Sequence, residues 1–136
     1  MNTKITTEWE LFQYLIDMSI YVDLKKSKDS MSNYDCYSKN SNHTIELKCR
    51  KKHYPMLILE KYKYDRLLYL SNRYDSKPIY INSTPKGIYM WYLDDINPKW
   101  EERSLPKFTE ISGKDSDVLT NKIICYLNVN DAIKIL

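Results

Sequence analysis

With 136 residues and a net charge of +3, the chain is long enough for one domain, residues 1–136, with a core of its own. That charge permits a nucleic-acid partner without requiring one. Two glycines exclude a Gly-rich phosphate loop, and the absence of an apolar leader or an apolar run of membrane length points to a cytoplasmic protein with no membrane partner.

Thr7-Glu8-Trp9-Glu10 reads as a capping box, with Thr7 capping and Glu10 reaching back. A helix is expected from there to about Ile20, its inner face marked by Leu11, Phe12, Leu15, Ser19 and Val22. Glu8 falls on that face and Glu10 on the opposite one. An acid in a first turn is favoured by the helix dipole; the sharper role for Glu8 is to point at a site on the neighbouring sheet. Leu24 to Asn33 reads as a polar loop with room for a short strand. Strands are expected near Tyr34–Tyr37 and Thr44–Arg50, joined by the turn-like Ser38-Lys39-Asn40-Ser41-Asn42. In the second of these, Ile45, Leu47 and Cys49 alternate with Thr44, Glu46, Lys48 and Arg50. A period of two means a half-buried strand.

Pro55 is expected to open a second helix over roughly Met56 to Asn72. Glu60, Lys63, Tyr64 and Leu67 would share one side of it, Glu60 and Lys63 as a three-apart pair. Lys77–Asn82 and Gly87–Leu93 read as a hairpin closed by Thr84-Pro85-Lys86-Gly87. Asp94 to Asp117 reads as irregular, Lys122–Val129 as a last strand, and Asn130/Asp131 as caps of a short final helix. The order helix, strands, helix, strands implies an α/β fold, a mixed β-sheet flanked by helices.

The alternating strand sets Glu46 and Lys48 on one face, and Asp35 on the preceding strand can join them. Clustered carboxylates and a lysine are the parts of a magnesium-dependent phosphodiester-cleaving site. The triplet acid-x-Lys recurs at Asp23–Lys25 and Asp75–Lys77, so spacing alone does not single out Glu46–Lys48. Its strand context and the upstream Asp35 do. Lys48-Cys49-Arg50-Lys51-Lys52-His53 is either a solvated basic surface or a phosphate-contacting patch built on Arg50, Lys51 and Lys52. His43 and His53 lack metal-ligand spacing and read as surface residues. Cys36, Cys49 and Cys125 fall in expected strands, without a CxxC, and read as buried thiols.

An inward acid on a helix, an Asp on a strand, Glu-x-Lys on the next strand and then a helix together resemble the PD-(D/E)XK nuclease superfamily. The likeness extends to small phage-type members through Leu59-Glu60-Lys61-Tyr62-Lys63-Tyr64, Pro78-Ile79-Tyr80-Ile81-Asn82, Ile88-Tyr89-Met90-Trp91-Tyr92-Leu93 and Leu105-Pro106-Lys107-Phe108-Thr109. It implies a restriction-endonuclease-like fold and a Mg²⁺-dependent (or Mn²⁺-dependent) deoxyribonuclease acting on DNA. Asp35 and Glu46 would be the metal ligands and Lys48 would orient the attacking water. Glu8 would act through a water and Lys63 at the phosphate. Tyr34 stands where the family has a proline before Asp35, which makes Asp29 the alternative acid. The resemblance is compatible with a homodimer. It is also compatible with a non-catalytic protein on the same fold, either a virion component or an interaction module.

Overall fold

The computed structural model describes residues 4–27, 34–106 and 118–136. Asp29 and the Lys107–Thr109 part of the late Leu-Pro segment lie outside the described residues. Helix α1 spans Glu8–Asp17, ending three residues before the expected Ile20. Thr7 caps it by accepting from the Glu10 amide at 3.1 Å, while the Glu10 carboxylate bonds back to Thr6 and Thr7. The capping box therefore forms as its spacing implies. Leu11, Phe12 and Leu15 are buried. Ser19 takes a positive φ of 56° after the helix end, so Val22 leaves the helical face and stands exposed.

The main sheet has six strands in the order β1 (Lys25–Lys26), β2 (Tyr34–Ser38), β3 (His43–Cys49), β5 (Lys77–Thr84), β6 (Gly87–Tyr92), β9 (Ile133–Lys134). Only β3 and β5 run parallel; every other neighbouring pair is antiparallel. Asn42 supplies the left-handed residue of the β2–β3 turn, at φ 58°. Asp23 braces that turn by accepting from Ser38 Oγ and, at 2.9 Å, from the Asn40 amide.

Met56–Glu60 is a strand, β4, and helix α2 covers only Lys61–Arg73. This corrects the expected helix over Met56 to Asn72. Leu57 and Leu59 are both buried and alternate with half-exposed neighbours, and β4 pairs antiparallel with β8 (Leu119–Asn128). A partner strand remote in sequence thus overrides the helical reading of a short apolar run. β7 (Glu101–Pro106) joins β8 on its other edge to make a three-stranded sheet. The stretch expected to be irregular therefore carries a strand, after a 3₁₀ turn at Leu93–Asp95. The expected final helix is a 3₁₀ turn, Val129–Asp131, followed by β9.

Three layers result. On one face of the main sheet, Leu11, Phe12 and Leu15 of α1 pack with Cys36, Ile45, Leu47, Ile79 and Ile81. On the other, Leu67 of α2 and Leu57, Leu59, Cys125 and Leu127 of the small sheet pack with Tyr80, Tyr89 and Trp91. Full burial of one such leucine is worth about 1.5–3 kcal/mol. The three cysteines are buried free thiols. Among the described residues, no helix is long and apolar enough to cross a membrane.

Candidate functional site

Strand alternation sends Ile45, Leu47 and Cys49 toward α1, so Thr44, Glu46 and Lys48 face α2 and the small sheet. Asp35 is the direct cross-strand partner of Glu46, which puts both carboxylates on that same face. Both residues are 3% exposed. Asp35, Glu46 and Lys48 share one face, with Lys48 acting electrostatically on Glu46, and it is the face that α2 covers rather than the one against the body of α1.

Glu8 reaches this cluster from the first turn of α1. The β2–β3 pairing begins at Tyr34–Leu47, so Lys48 lies one residue beyond the last β2 partner. Glu8 interacts electrostatically with Lys48, Lys63 and Glu46. Burial pushes its carboxyl above the ordinary range, against the pull of Lys48 and Lys63. Glu10, by contrast, faces solvent and serves the cap.

Helix α2 contributes three further groups. Glu60, at its N-cap, lies 3.9 Å from Lys63 and 3.3 Å from Lys122 of β8. Arg66 contacts Asp35 Oδ2 through Nη2 and places Nη1 3.9 Å from Glu46 Oε1. One guanidinium thus straddles both buried carboxylates. Arg66 and Lys122 carry no mark in the linear motif. Arg66 sits one helical turn after Lys63 and next to the inward Leu67, so a helix phased on Leu67 would have placed it beside the site. Lys122 arrives through the β4–β8 pairing, which no local pattern reveals.

Burial raises the Glu46 carboxyl above the ordinary carboxylate range, with Lys63 and Lys48 opposing the rise. Burial lowers Lys48, helped by its cationic neighbours Lys63 and Arg50 and opposed by Glu8 and Glu60. Perturbed acids and a perturbed lysine in one cluster are common at functional sites. Glu8 Oε2 is buried with no hydrogen-bond donor among the described residues, whereas Asp35 Oδ2 is buried against the Arg66 guanidinium.

Among the described residues, no three His, Cys, Asp or Glu side chains converge as a ready ligand set. Asp35 and Glu46 together still suit a hard cation that takes one or two carboxylates and fills its other positions with water and phosphate oxygens. An ion bound there would take the place that Arg66 Nη2 holds on Asp35 Oδ2.

The basic run divides. Arg50 is committed inside the protein: Nε donates to Asn82 Oδ1 at 2.8 Å, and Nη2 reaches the Ile58 carbonyl and Tyr80 Oη. It ties β3, β4 and β5 together and does not present its guanidinium to a phosphate. Lys51 and Lys52 are exposed in the segment after β3. The two histidines are structural rather than superficial. His43 bonds Tyr21 Oη at 2.7 Å and Tyr92 Oη at 3.3 Å, and His53 bonds Thr84 Oγ1 at 2.8 Å. Comparison of the chain with protein-family models, characterised proteins and solved structures gives no match.

Proposed function

We propose that the chain is a small nuclease of the restriction-endonuclease-like type that hydrolyses phosphodiester bonds of DNA with Mg²⁺ or Mn²⁺. The observation that carries this is the cross-strand pair Asp35–Glu46 with Lys48 two residues along, on one buried face. The antiparallel β1–β2–β3 unit, followed by α2 and a β5 parallel to β3, supports it.

Asp35 and Glu46 would hold the ion, which, when bound, lowers the pKa of a coordinated water and offsets charge on the phosphate. Lys48, desolvated and two residues beyond Glu46 on the same face of the strand, would orient the attacking water and offer it a positive charge. Lys63, Arg66 and Lys122 would meet the phosphate oxygens, Arg66 by exchanging Asp35 for the substrate. Glu8 and Glu60 oppose the loss of the Lys48 proton, and Glu60 pairs with Lys63 and Lys122. One water adds across one P–O bond, leaving a phosphate monoester and a free hydroxyl. Lys51 and Lys52 would contact backbone phosphates further along, a salt-sensitive contribution. Oligomeric state, including a homodimer, is open to sedimentation.

The second reading is a non-catalytic virion or interaction protein on the same scaffold. The Arg66–Asp35 ion pair favours it, because a built-in cation already neutralises the carboxylates. Calorimetry with Mn²⁺ separates the two. The nuclease reading expects binding that Glu46→Gln removes; no binding to the wild-type protein favours the structural alternative.

A further inference from the structure

Helix α2 lies chiefly over β3 and β5. On the β2 side, a cleft of about 480 Å³ opens between helix and sheet, inside the roughly 300–1,000 Å³ span of small-molecule sites. Its inner end is formed by Asp35 and Arg66, the same two residues that border the carboxylate cluster. Tyr37 of β2 and Leu70 of α2 line it, Tyr74 stands at the helix end, and the exposed Lys39 lies at the rim. Tyr74 is 64% exposed; the Arg73 guanidinium stands 6.0 Å over its ring, so a stacked base would take the opposite ring face.

We infer that this cleft seats one unpaired nucleotide next to the bond to be cut, so that the preferred substrate is single-stranded DNA or an unpaired flap or end. The inference rests on the nuclease reading above for the identity of the ligand. A nucleotide within a strand has an apolar, stackable base and a phosphate on each side of its sugar. The cleft offers aromatic and aliphatic walls for the base. Arg66, paired with Asp35, and the exposed Lys39 are lining cations that can meet the phosphates. The cleft lies between α2 and the sheet, so a base seated in it has left its stack. Unstacking costs least for a base that is already unpaired.

The test uses thymidine 5′-monophosphate and inorganic phosphate as probes, followed by NMR of the full chain without divalent ions. The nucleotide should bind at millimolar concentration, more tightly than phosphate, with shifts at Tyr74, Leu70 and Ser76. Tyr74→Ala should weaken it by about five-fold or more, the scale of losing one base stack. Tyr74→Phe should keep the affinity, and Tyr69→Ala, on the outer side of α2, should leave it unchanged.

No binding of the nucleotide, binding no tighter than phosphate, or a Tyr74→Ala variant that binds like wild type would each overturn the cleft assignment. Metal-dependent cleavage of DNA without nucleotide binding leaves the nuclease reading standing and removes this inference. Nucleotide binding without cleavage of any DNA keeps the cleft as a nucleotide seat but removes the nuclease reading, and with it the preferred cleavage substrate inferred here.

Discussion

Asp35 and Glu46 are direct cross-strand partners, and the single guanidinium of Arg66 touches the first and lies 3.9 Å from the second. Two buried carboxylates at adjacent positions repel unless a cation stands between them. Arg66→Ala should therefore cost about 3–5 kcal/mol at neutral pH, the scale of breaking a buried ion pair from one side. Mn²⁺ should restore part of that loss, and should stabilise the variant more than the wild type. Urea unfolding with and without the ion checks both points; a variant as stable as wild type in the absence of metal would contradict them.

Glu46→Gln should stabilise the protein. The folded carboxyl is raised above the ordinary value of 4.5, so the folded state binds the proton more tightly than the unfolded chain. The contribution of Glu46 is then fully present below pH 4.5 and is lost as pH rises through the folded value. At neutral pH the ionised group subtracts from stability. Removing its charge while keeping its shape should therefore raise the unfolding midpoint at neutral pH. The gain should vanish when unfolding is repeated near pH 4.

Lys48→Met should leave stability at pH 7 within about 1 kcal/mol of wild type, the range of an ordinary mild substitution. The folded pKa of Lys48 lies below 10.5, so the folded state holds this proton less tightly than the unfolded chain. Charged Lys48 therefore subtracts from stability at neutral pH, and that penalty is relieved as pH rises through the folded value toward 10.5. A large loss of stability in this variant would make Lys48 a structural counter-ion instead of a group held for chemistry.

Arg50→Lys should cost about 2–4 kcal/mol, because a lysine cannot make the forked contacts to Asn82, Ile58 and Tyr80 and leaves buried acceptors unpaired. Lys51→Ala with Lys52→Ala should leave the unfolding midpoint almost unmoved and flatten the salt dependence of DNA binding. Denaturation and salt titration together distinguish a hub from a contact surface.

The alternation around Glu46 was legible because period two needs only a local window. It carried the face shared by Glu46 and Lys48, and the turn at Ser38–Asn42 carried the register that adds Asp35. The capping box at Thr7–Glu10 was legible for the same reason. Met56–Glu60 was not. Four apolar residues after Pro55 suit either a helix or a strand, and only β8, some seventy residues later in the chain, decides. Arg66 stayed hidden because no linear pattern marks it, although it stands next to the inward Leu67. Arg50 looked like its basic neighbours. Its inward role depends on Asn82 and Tyr80 of β5, which the run Lys48–His53 does not mention.

The most direct measurement is a cleavage assay comparing wild type, Glu46→Gln and Lys48→Ala on single-stranded, nicked, branched and linear duplex DNA, with Mg²⁺, with Mn²⁺ and with chelator. Wild type should cut at least one of these substrates with either ion. Chelation should stop it, and each variant should lose at least about a hundredfold in rate, the low end for removing a positioned acid–base or electrostatic group. Lys48→Ala should still bind Mn²⁺, because lysine is not a ligand. Failure of wild type to cut any of them with either ion, or cleavage by Glu46→Gln at the wild-type rate, would contradict the account and leave the cluster around Asp35 and Glu46 as an ion-pair network that holds α2 to the sheet.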